Sequence, residues 1–425
     1  MTGDTRRPGY HFTVPAGWIN DPLGVTWHET PDGGRYELFY QSNPEAPVWT
    51  PACRWGQATS ADLVRWRDPR TALEPGPAEV GCWSGSVVVD QGHPVLVYTS
   101  VLAGSTDLGR ISLAHGDASW RHWAPDPGGP VIAAPRPDEG YAHVRDPFVW
   151  RDGDRWRMAV GAGRTDGRPA VLQYSSADLR AWQRDGVLAE PEPAPGREGP
   201  GGAVWECPQL FPLDGAWVLI VSVWDGGPRG VACAVGDYDG RRFIPRSWQR
   251  LADDPLYATT AFVDARGRRC AFSWVRDVGG SGAPWAGALS VPWVLALEGD
   301  RVTVAPHPDV DTLRAGAPAT GDPGRSVPVG RHADVLLRAD LAGRPLEVAL
   351  DGPDRRLFAM TVDPGDGDVD VRLLVDTGVV EVFTGGGVTA AVLPSADGDP
   401  TLRLSGGPGL RLSHLTVHAM ERFSG

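Results

Sequence analysis

Three acidic side chains in this sequence share a setting: Asp21 in Asn20-Asp21-Pro22, Asp146 in Arg145-Asp146-Pro147, and Glu206 in Glu206-Cys207-Pro208. Proline disfavours a helical conformation in the residue before it, so both Asp residues are expected extended at a strand entrance. Carboxylates held close together raise at least one pKa, which a general acid working near neutral pH requires. Paired carboxylates without metal or cofactor point above all to glycoside hydrolysis, in which one acid protonates the leaving oxygen while another attacks the anomeric carbon or activates water. Trp18, Trp49, Trp83, Trp205 and Trp285 flank these segments, where they would stack on sugar rings or pack between elements. Asp68-Pro69 and Asp254-Pro255 read as ordinary turns. No GxSxG, no HExxH and no Gly-rich phosphate loop in a strand–helix context occurs. The five cysteines (Cys53, Cys82, Cys207, Cys233, Cys270) are widely spaced with no CxxC pair, which speaks against a disulfide framework and against structural zinc. Neither metal nor cofactor is expected.

Acids so far apart in the chain need a repeating architecture to meet. The unit is an apolar strand, a tight turn centred on Gly, and a second apolar strand. Copies span Val25–Tyr40, Val87–Thr99, Phe148–Ala162, Leu210–Trp224 and Phe262–Trp274, with turns at Asp32-Gly33-Gly34, Gln91-Gly92, Asp152-Gly153, Asp214-Gly215 and Arg266-Gly267. An echo follows some copies: Ser60-Ala61-Asp62-Leu63 ending in Trp66, and Ser176-Ala177-Asp178-Leu179 ending in Trp182. The residues expected just ahead of each first strand fall at 21, 84, 146, 206 and about 260. Radial repetition of four-stranded units makes a β-propeller, and five copies imply five blades. In such a ring Asp21, Asp146 and Glu206 occupy one phase and converge at one mouth of the channel. A series of unrelated hairpins in a large sandwich is the competing arrangement.

All 18 Trp lie between Trp18 and Trp293, and a Gly/Pro/Ala-rich stretch follows from Arg314 to Ser326. The expected division is therefore a five-bladed β-propeller over 1–314, a linker over 315–326, and a C-terminal β-sandwich over 327–425. The alternation in Val369–Val375, Val379–Phe383, Thr401–Ser405, Gly409–Ser413 and Leu415–His418 supports the sandwich. With 53 acidic against 40 basic residues, all of the latter Arg, the net charge is −13. That balance argues against nucleic acid and against an anionic membrane surface. The longest strongly apolar run, about Trp217–Trp224, falls far short of the roughly 20 residues a spanning helix needs. Residues 1–11 hold no apolar stretch resembling a secretion signal, so a cytoplasmic protein, monomer or homodimer, with a small carbohydrate substrate is expected.

Trp18-Ile-Asn-Asp21-Pro-Leu-Gly24 resembles the sucrose-box motif (WMNDPNG) of glycoside hydrolase family 32, the invertase, levanase, inulinase and sucrose-6-phosphate hydrolase group. Phe39-Tyr-Gln41-Ser-Asn43-Pro44 is similar to its FYQxNP, Trp55-Gly-Gln57-Ala-Thr-Ser60 to WGHATS, and Cys82-Trp83-Ser84-Gly85-Ser86 to the FSGS segment. Arg145-Asp146-Pro147 matches RDP, and Trp205-Glu206-Cys207-Pro208 matches WECP. Trp285-Ala-Gly287 with Ser290-Val-Pro292 resembles WAG…SLPR, and Val380-Glu381-Val-Phe383 the EVF strand of the C-terminal sandwich. The resemblance implies a propeller plus sandwich and retaining hydrolysis of β-D-fructofuranosides. It makes Asp21 the nucleophile, Glu206 the general acid/base and Asp146 the transition-state stabiliser. Asn20, Gln41, Trp49, Trp83, Ser84, Arg145 and Trp285 match positions lining the fructose pocket. For retention the two carboxyl groups should stand about 5–5.5 Å apart.

Three departures stand out: Leu23 for the usual Asn, Gln57 for the His of WGHATS, and Ser42 for an aromatic or His. They bear on leaving group and rate, since no catalytic carboxylate is lost. Two other readings stay open. A fructosyltransferase would let a sugar hydroxyl intercept the same intermediate, and a sugar-binding module would bind without turnover.

Overall fold

The computed structural model describes residues 6–30, 33–192, 198–320, 326–364, 367–394 and 398–423. It is nearly all β, with two short 3-10 turns, Pro137–Glu139 and Pro308–Leu313, among the described residues. No helix there is long and apolar enough to cross a membrane.

Strands pair in five successive antiparallel quartets. The first is Gly17–His28, Arg35–Asn43, Arg54–Ser60 and Arg67–Leu73. The second is Gly81–Asp90, His93–Leu102, Ser105–Gly116 and Trp123–Pro125. The third is Tyr141–Asp152, Arg155–Arg164, Pro169–Ser176 and Trp182–Ala189. The fourth is Val204–Leu213, Ala216–Trp224, Pro228–Tyr238 and Phe243–Ala252. Leu256–Val263, Arg269–Gly279, Trp293–Glu298 and Arg301–Pro306 form the fifth, to which Trp285–Leu289 adds a short strand. That extra strand pairs in parallel with Gly17–Trp18, joining the last quartet to the first. The first strands of the quartets touch one another in cyclic order, the fifth against the first.

Local chemistry explains the hairpins. Gln91-Gly92 and Asp214-Gly215 have positive φ at both residues, as the turn that matches strand twist demands. Of the expected Asp32-Gly33-Gly34 turn, Asp32 lies outside the described residues. In the two echoes the serine hydroxyl meets the Asp carboxylate, and the closing Trp indole donates to the Leu carbonyl of its own turn (Trp66 to Leu63, 3.0 Å; Trp182 to Leu179, 2.7 Å).

After the quartets, two sheets stack. One orders Arg314–Thr320, Arg411–Met420, His332–Asp340, Val369–Asp376, Val379–Thr384 and Gly387–Val392; the other orders Ser326–Pro328, Thr401–Gly406, Leu346–Asp351 and Arg356–Val362. Alternate residues of both, such as Val335, Leu337, Val348, Leu350 and Leu373, fill a shared apolar core. Half of the expected linker is therefore a strand: residues 314–320 pair with 416–420 because the six-stranded sheet needs its edge covered. Residues 321–325 lie outside the described residues. Gly409–Ser413 and Leu415–His418, read as two strands, fall on one, Arg411–Met420, and its beginning.

Candidate active site

Each of the five first strands breaks register at the same depth. Residues 20–21 oppose one residue of the partner strand, Ser84 and Asp146 are extra residues in theirs, and 207–208 and 258–259 again oppose one. Such β-bulges re-aim side chains next to sites. Asp146, Cys207 and Ala258 carry positive φ (64°, 46° and 50°), the backbone cost of that turn. The positions expected ahead of the strands thus lie inside them, two to five residues from each start: 21, 84 and 146 on the bulges, 206 and 260 just beside theirs.

The phase also needs correcting. Asp21, Ser84, Asp146 and Cys207 sit on the bulges, whereas Glu206 stands one residue before its bulge, in step with Arg145 and Tyr257. One residue reverses a strand side chain, so two sets of groups meet here rather than one ring of acids.

The bulge set is a hydrogen-bonded circuit. Asn20 Nδ2 donates to Asp21 Oδ1 (3.0 Å) and to Gln41 Oε1 (3.2 Å). Gln41 Nε2 donates to Ser84 Oγ (2.6 Å), and Ser84 Oγ donates to Asp21 Oδ2 (2.5 Å). The Cys207 thiol lies 3.6 Å from both Asp21 Oδ2 and Asp146 Oδ2, which puts those oxygens within twice that distance of each other. Asp146 Oδ2 also accepts from the Cys207 backbone N–H (3.0 Å), and the Asp146 N–H donates to Thr99 Oγ1 (2.8 Å).

The second set grips Glu206. Arg145 donates Nε (2.8 Å) to Glu206 Oε1 and brings Nη2 to 2.8 Å of the same oxygen, while the Tyr257 hydroxyl donates to Oε2 (2.5 Å). Two close approaches hold this alignment. A Cβ on Gly161 would stand 2.4 Å from the Trp205 carbonyl oxygen, and one on Gly287 2.0 Å from that of Ile19.

Burial pushes the Asp21 carboxyl up to about 6, with the Glu206 charge adding to it and the Ser84, Cys207 and Asn20 hydrogen bonds resisting. Asp146 rises further, to about 7, from burial first and then from Glu206, against the pull of Arg145. Burial and the surrounding carboxylates keep the Cys207 thiol protonated, with one hydrogen to give to either acid. A pit so arranged favours a proton on Asp21 or Asp146 up to near neutrality.

Of the expected aromatic lining, Trp49 is half exposed and meets Trp83 edge-on at 6.0 Å. Trp83 is partly buried and anchored by its indole on the Pro51 carbonyl. Trp285 is different. It is fully buried in the apolar core under the Arg7 guanidinium, because its strand is tied in parallel to Gly17–Trp18, and it offers no face to a ligand. Trp274, directly across from Tyr257, packs instead with Trp18, Cys207 and Tyr257 beside the acids. The fifth bulge lies at 258–259, about two residues ahead of the position the repeat spacing gives, which is why Tyr257, in register with Arg145 and Glu206, is not evident from the spacing.

None of the three substituted side chains hydrogen-bonds the acids, although Leu23 lines a small cavity with Ser84, Asp146 and Cys207. Gln57 is fully buried and bonds Glu37, the Trp120 carbonyl and the Trp123 indole, stitching the first quartet to the second. Leu23 is core, packed with Phe39 and Trp55. Ser42 is buried on the second strand. A separate buried trio, Asp264, Cys270 and His307, has its ligand atoms within 4.8 Å, yet Arg268 donates to Asp264 and lies 2.8 Å from His307 Nε2, where a cation would have to sit.

The N-terminal-domain profile of glycosyl hydrolases family 32 matches residues 11–308. The levanase of Bacillus subtilis (strain 168) is 30% identical over 99% of this chain and 71% of its own length. The sucrose-6-phosphate hydrolase of Escherichia coli is 32% identical over 73% of this chain and 67% of its own. Among solved structures, a family 32 beta-fructofuranosidase of Bombyx mori superposes with a TM-score of 0.83 at 27% identity, covering 99% of this chain and 95% of that one. The chain belongs to glycosyl hydrolase family 32 and is a glycosidase.

Proposed function

We propose that this glycosidase hydrolyses β-D-fructofuranosides with retention of configuration, through a fructosyl ester on Asp21. The observation that carries the reading is the meeting of Asp21 and Asp146 at the Cys207 thiol, with Glu206, the residue before it, held by the Arg145 that precedes Asp146. Asp21 Oδ attacks the anomeric C2 as the C2–O bond to the leaving group breaks, and Glu206 delivers its proton to the departing oxygen. Water then attacks C2, Glu206 takes its proton, and Asp21 departs as carboxylate. Asp146 lies beside the reacting carbon, accepts fructose hydroxyls and stabilises the positive charge that develops there.

Asn20, Gln41, Ser84 and Arg145 supply the polar side of the fructose pocket, with Trp49 and Trp83 as its aromatic wall. The ring of first strands supports a five-bladed propeller as catalytic domain, and the stacked sheets a sandwich domain packed against it. The names of the relatives, levanase, sucrose-6-phosphate hydrolase and beta-fructofuranosidase, support the fructoside class.

Initial rates on sucrose, sucrose-6-phosphate, kestose, inulin and levan test the substrate class, with growing oligosaccharide at high sucrose marking transfer instead of hydrolysis. Glu206→Gln given an activated aryl fructoside should accumulate a fructosyl adduct on the peptide containing Asp21, with poor leaving groups losing far more rate than activated ones. An inverted first product, or an adduct on any other residue, overturns the mechanism.

A further inference from the structure

His143 stands two residues before Arg145 on the same strand and face, and its ring nitrogen Nδ1 is shared between two incompatible partners. Arg145 Nη1 lies 3.3 Å from it as a donor. Asp107 Oδ1, reaching across from Ser105–Gly116 of the second quartet, lies 3.2 Å from the same nitrogen. A bare Nδ1 accepts from Arg145 and faces a carboxylate with nothing to give it. A protonated Nδ1 donates to Asp107 and turns its hydrogen away from a guanidinium that has no lone pair. One atom cannot serve both at once.

We propose that His143 and Asp107 form a positioning pair for the acid/base carboxyl: neutral His143, with its proton on Nε2, accepts at Nδ1 from Arg145 and so fixes the guanidinium on Glu206, and protonation of Nδ1 swings that bond to Asp107 and releases Arg145. The proposal rests on the reading of Glu206 as acid/base. Neither residue touches the reacting atoms, so both act through Arg145, whose Nε and Nη2 are already committed to one Glu206 oxygen. With Nη1 released, the guanidinium pivots more freely about that oxygen.

The charged and titratable groups facing His143 are Arg145 from its own strand, Asp107 from the second quartet and Glu206 from the fourth. From the remaining neighbours it meets the Trp224 ring at 5.7 Å and the backbone of Gly163, its register partner, neither of them ionisable here. Burial and then Arg145 hold the imidazole below its ordinary value, with Asp107 and Glu206 opposing, so the neutral form prevails at pH 7. Asp107 is largely exposed and sets where the exchange occurs without occupying the pit.

The test combines a titration that needs no turnover with a pH profile. The His143 ring resonances, assigned by their loss in His143→Gln, are followed by NMR against pH in the full chain, with and without Asp107→Asn. Removing the anion should lower the His143 midpoint by about half a unit, a screened fraction of the shift a close opposite charge produces. The acid limb of kcat on sucrose, which Asp21 also shapes, should move in the same direction. His143→Phe, which cannot accept from Arg145, should lose about tenfold in kcat with KM within about twofold, and His143→Gln, whose amide oxygen accepts, should recover most of that loss. A midpoint indifferent to Asp107→Asn overturns the proposal, and so do superimposable pH profiles for wild type and both His143 variants. Should the wild type turn over no fructoside, the fructosidase reading fails by itself, and the titration still decides whether His143 answers to Asp107.

Discussion

Replacing Ser84 with alanine isolates one hydrogen bond to the proposed nucleophile. Ser84 Oγ donates to Asp21 Oδ2 at 2.5 Å, within a circuit closed by Asn20 and Gln41. A hydrogen bond to an ionised group is worth about 1.5–3 kcal/mol, and one pKa unit about 1.4 kcal/mol. Asn20 and the Cys207 thiol remain as donors to Asp21, so the lower end applies, about one unit. Asp21, already at about 6 through burial, should then titrate about one unit higher. At pH 5 the ionised fraction falls from about one tenth to about one hundredth, while at pH 8 it falls only from near unity to about nine tenths. The assay is kcat/KM on sucrose from pH 4 to 9, which reports the free enzyme. The ratio of wild type to Ser84→Ala should be roughly tenfold larger at pH 5 than at pH 8. A lost contact to fructose would lower the rate by the same factor at every pH, so a pH-independent ratio refutes the argument.

Three further perturbations follow from named contacts. Asp146, buried and raised to about 7, costs the fold stability as pH climbs from its ordinary value through that point, because the unfolded carboxyl ionises first. Asp146→Asn keeps a side chain that tolerates its φ of 64°, so calorimetry should show it a few degrees more stable than wild type at pH 8, with a smaller difference at pH 4, while turnover is abolished. His11 has Nδ1 2.8 Å from Asp376 and Nε2 2.9 Å from Glu381, which also accepts from the Val291 N–H and the Trp293 indole. Although burial alone would lower it, the two carboxylates raise His11 to about 9, so its roughly 3 kcal/mol is intact below pH 6.5 and lost as pH rises through 9. His11→Gln should therefore destabilise the chain at pH 6 and much less at pH 10, read by denaturant midpoints; equal effects at both would refute the charge assignment. Gly161→Ala drives a Cβ against the Trp205 carbonyl and displaces Glu206, with kcat falling at least tenfold and KM changing little; an unaltered kcat would show that the approach can relax.

Much of this architecture was legible because strands and turns are local. Gln91-Gly92 and Asp214-Gly215 encode hairpins in four residues each, and the Ser-Ala-Asp-Leu echoes form matching turns 116 positions apart by their numbers, 60–63 and 176–179. What stayed hidden depends on partners distant in the chain. Residues 315–320 look like linker by composition, and only the edge at 416–420 makes them a strand. In sequence Trp285 reads as a sugar platform and Trp274 only as the end of a hairpin, yet the parallel tie to Gly17–Trp18 sends the first into the core and leaves the second beside the acids.

The one-residue offset of Glu206 shows why phase alone was insufficient. Had all three acids occupied the same bulge position, their charges would converge with no space for separate environments, and each would be pushed toward sharing protons with the others. The offset places Glu206 in step with Arg145 and Tyr257, which bind its two oxygens from neighbouring quartets, while Asp21 and Asp146 stay on the bulges with Ser84 and Cys207. A pair of carboxyls with different partners is what an acid and a nucleophile need in order to hold opposite protonation states at one pH. The bulge supplies that difference: by inserting a residue it moves a strand side chain across the sheet, so that a repeat with one backbone plan presents two chemically distinct sets of groups to one substrate.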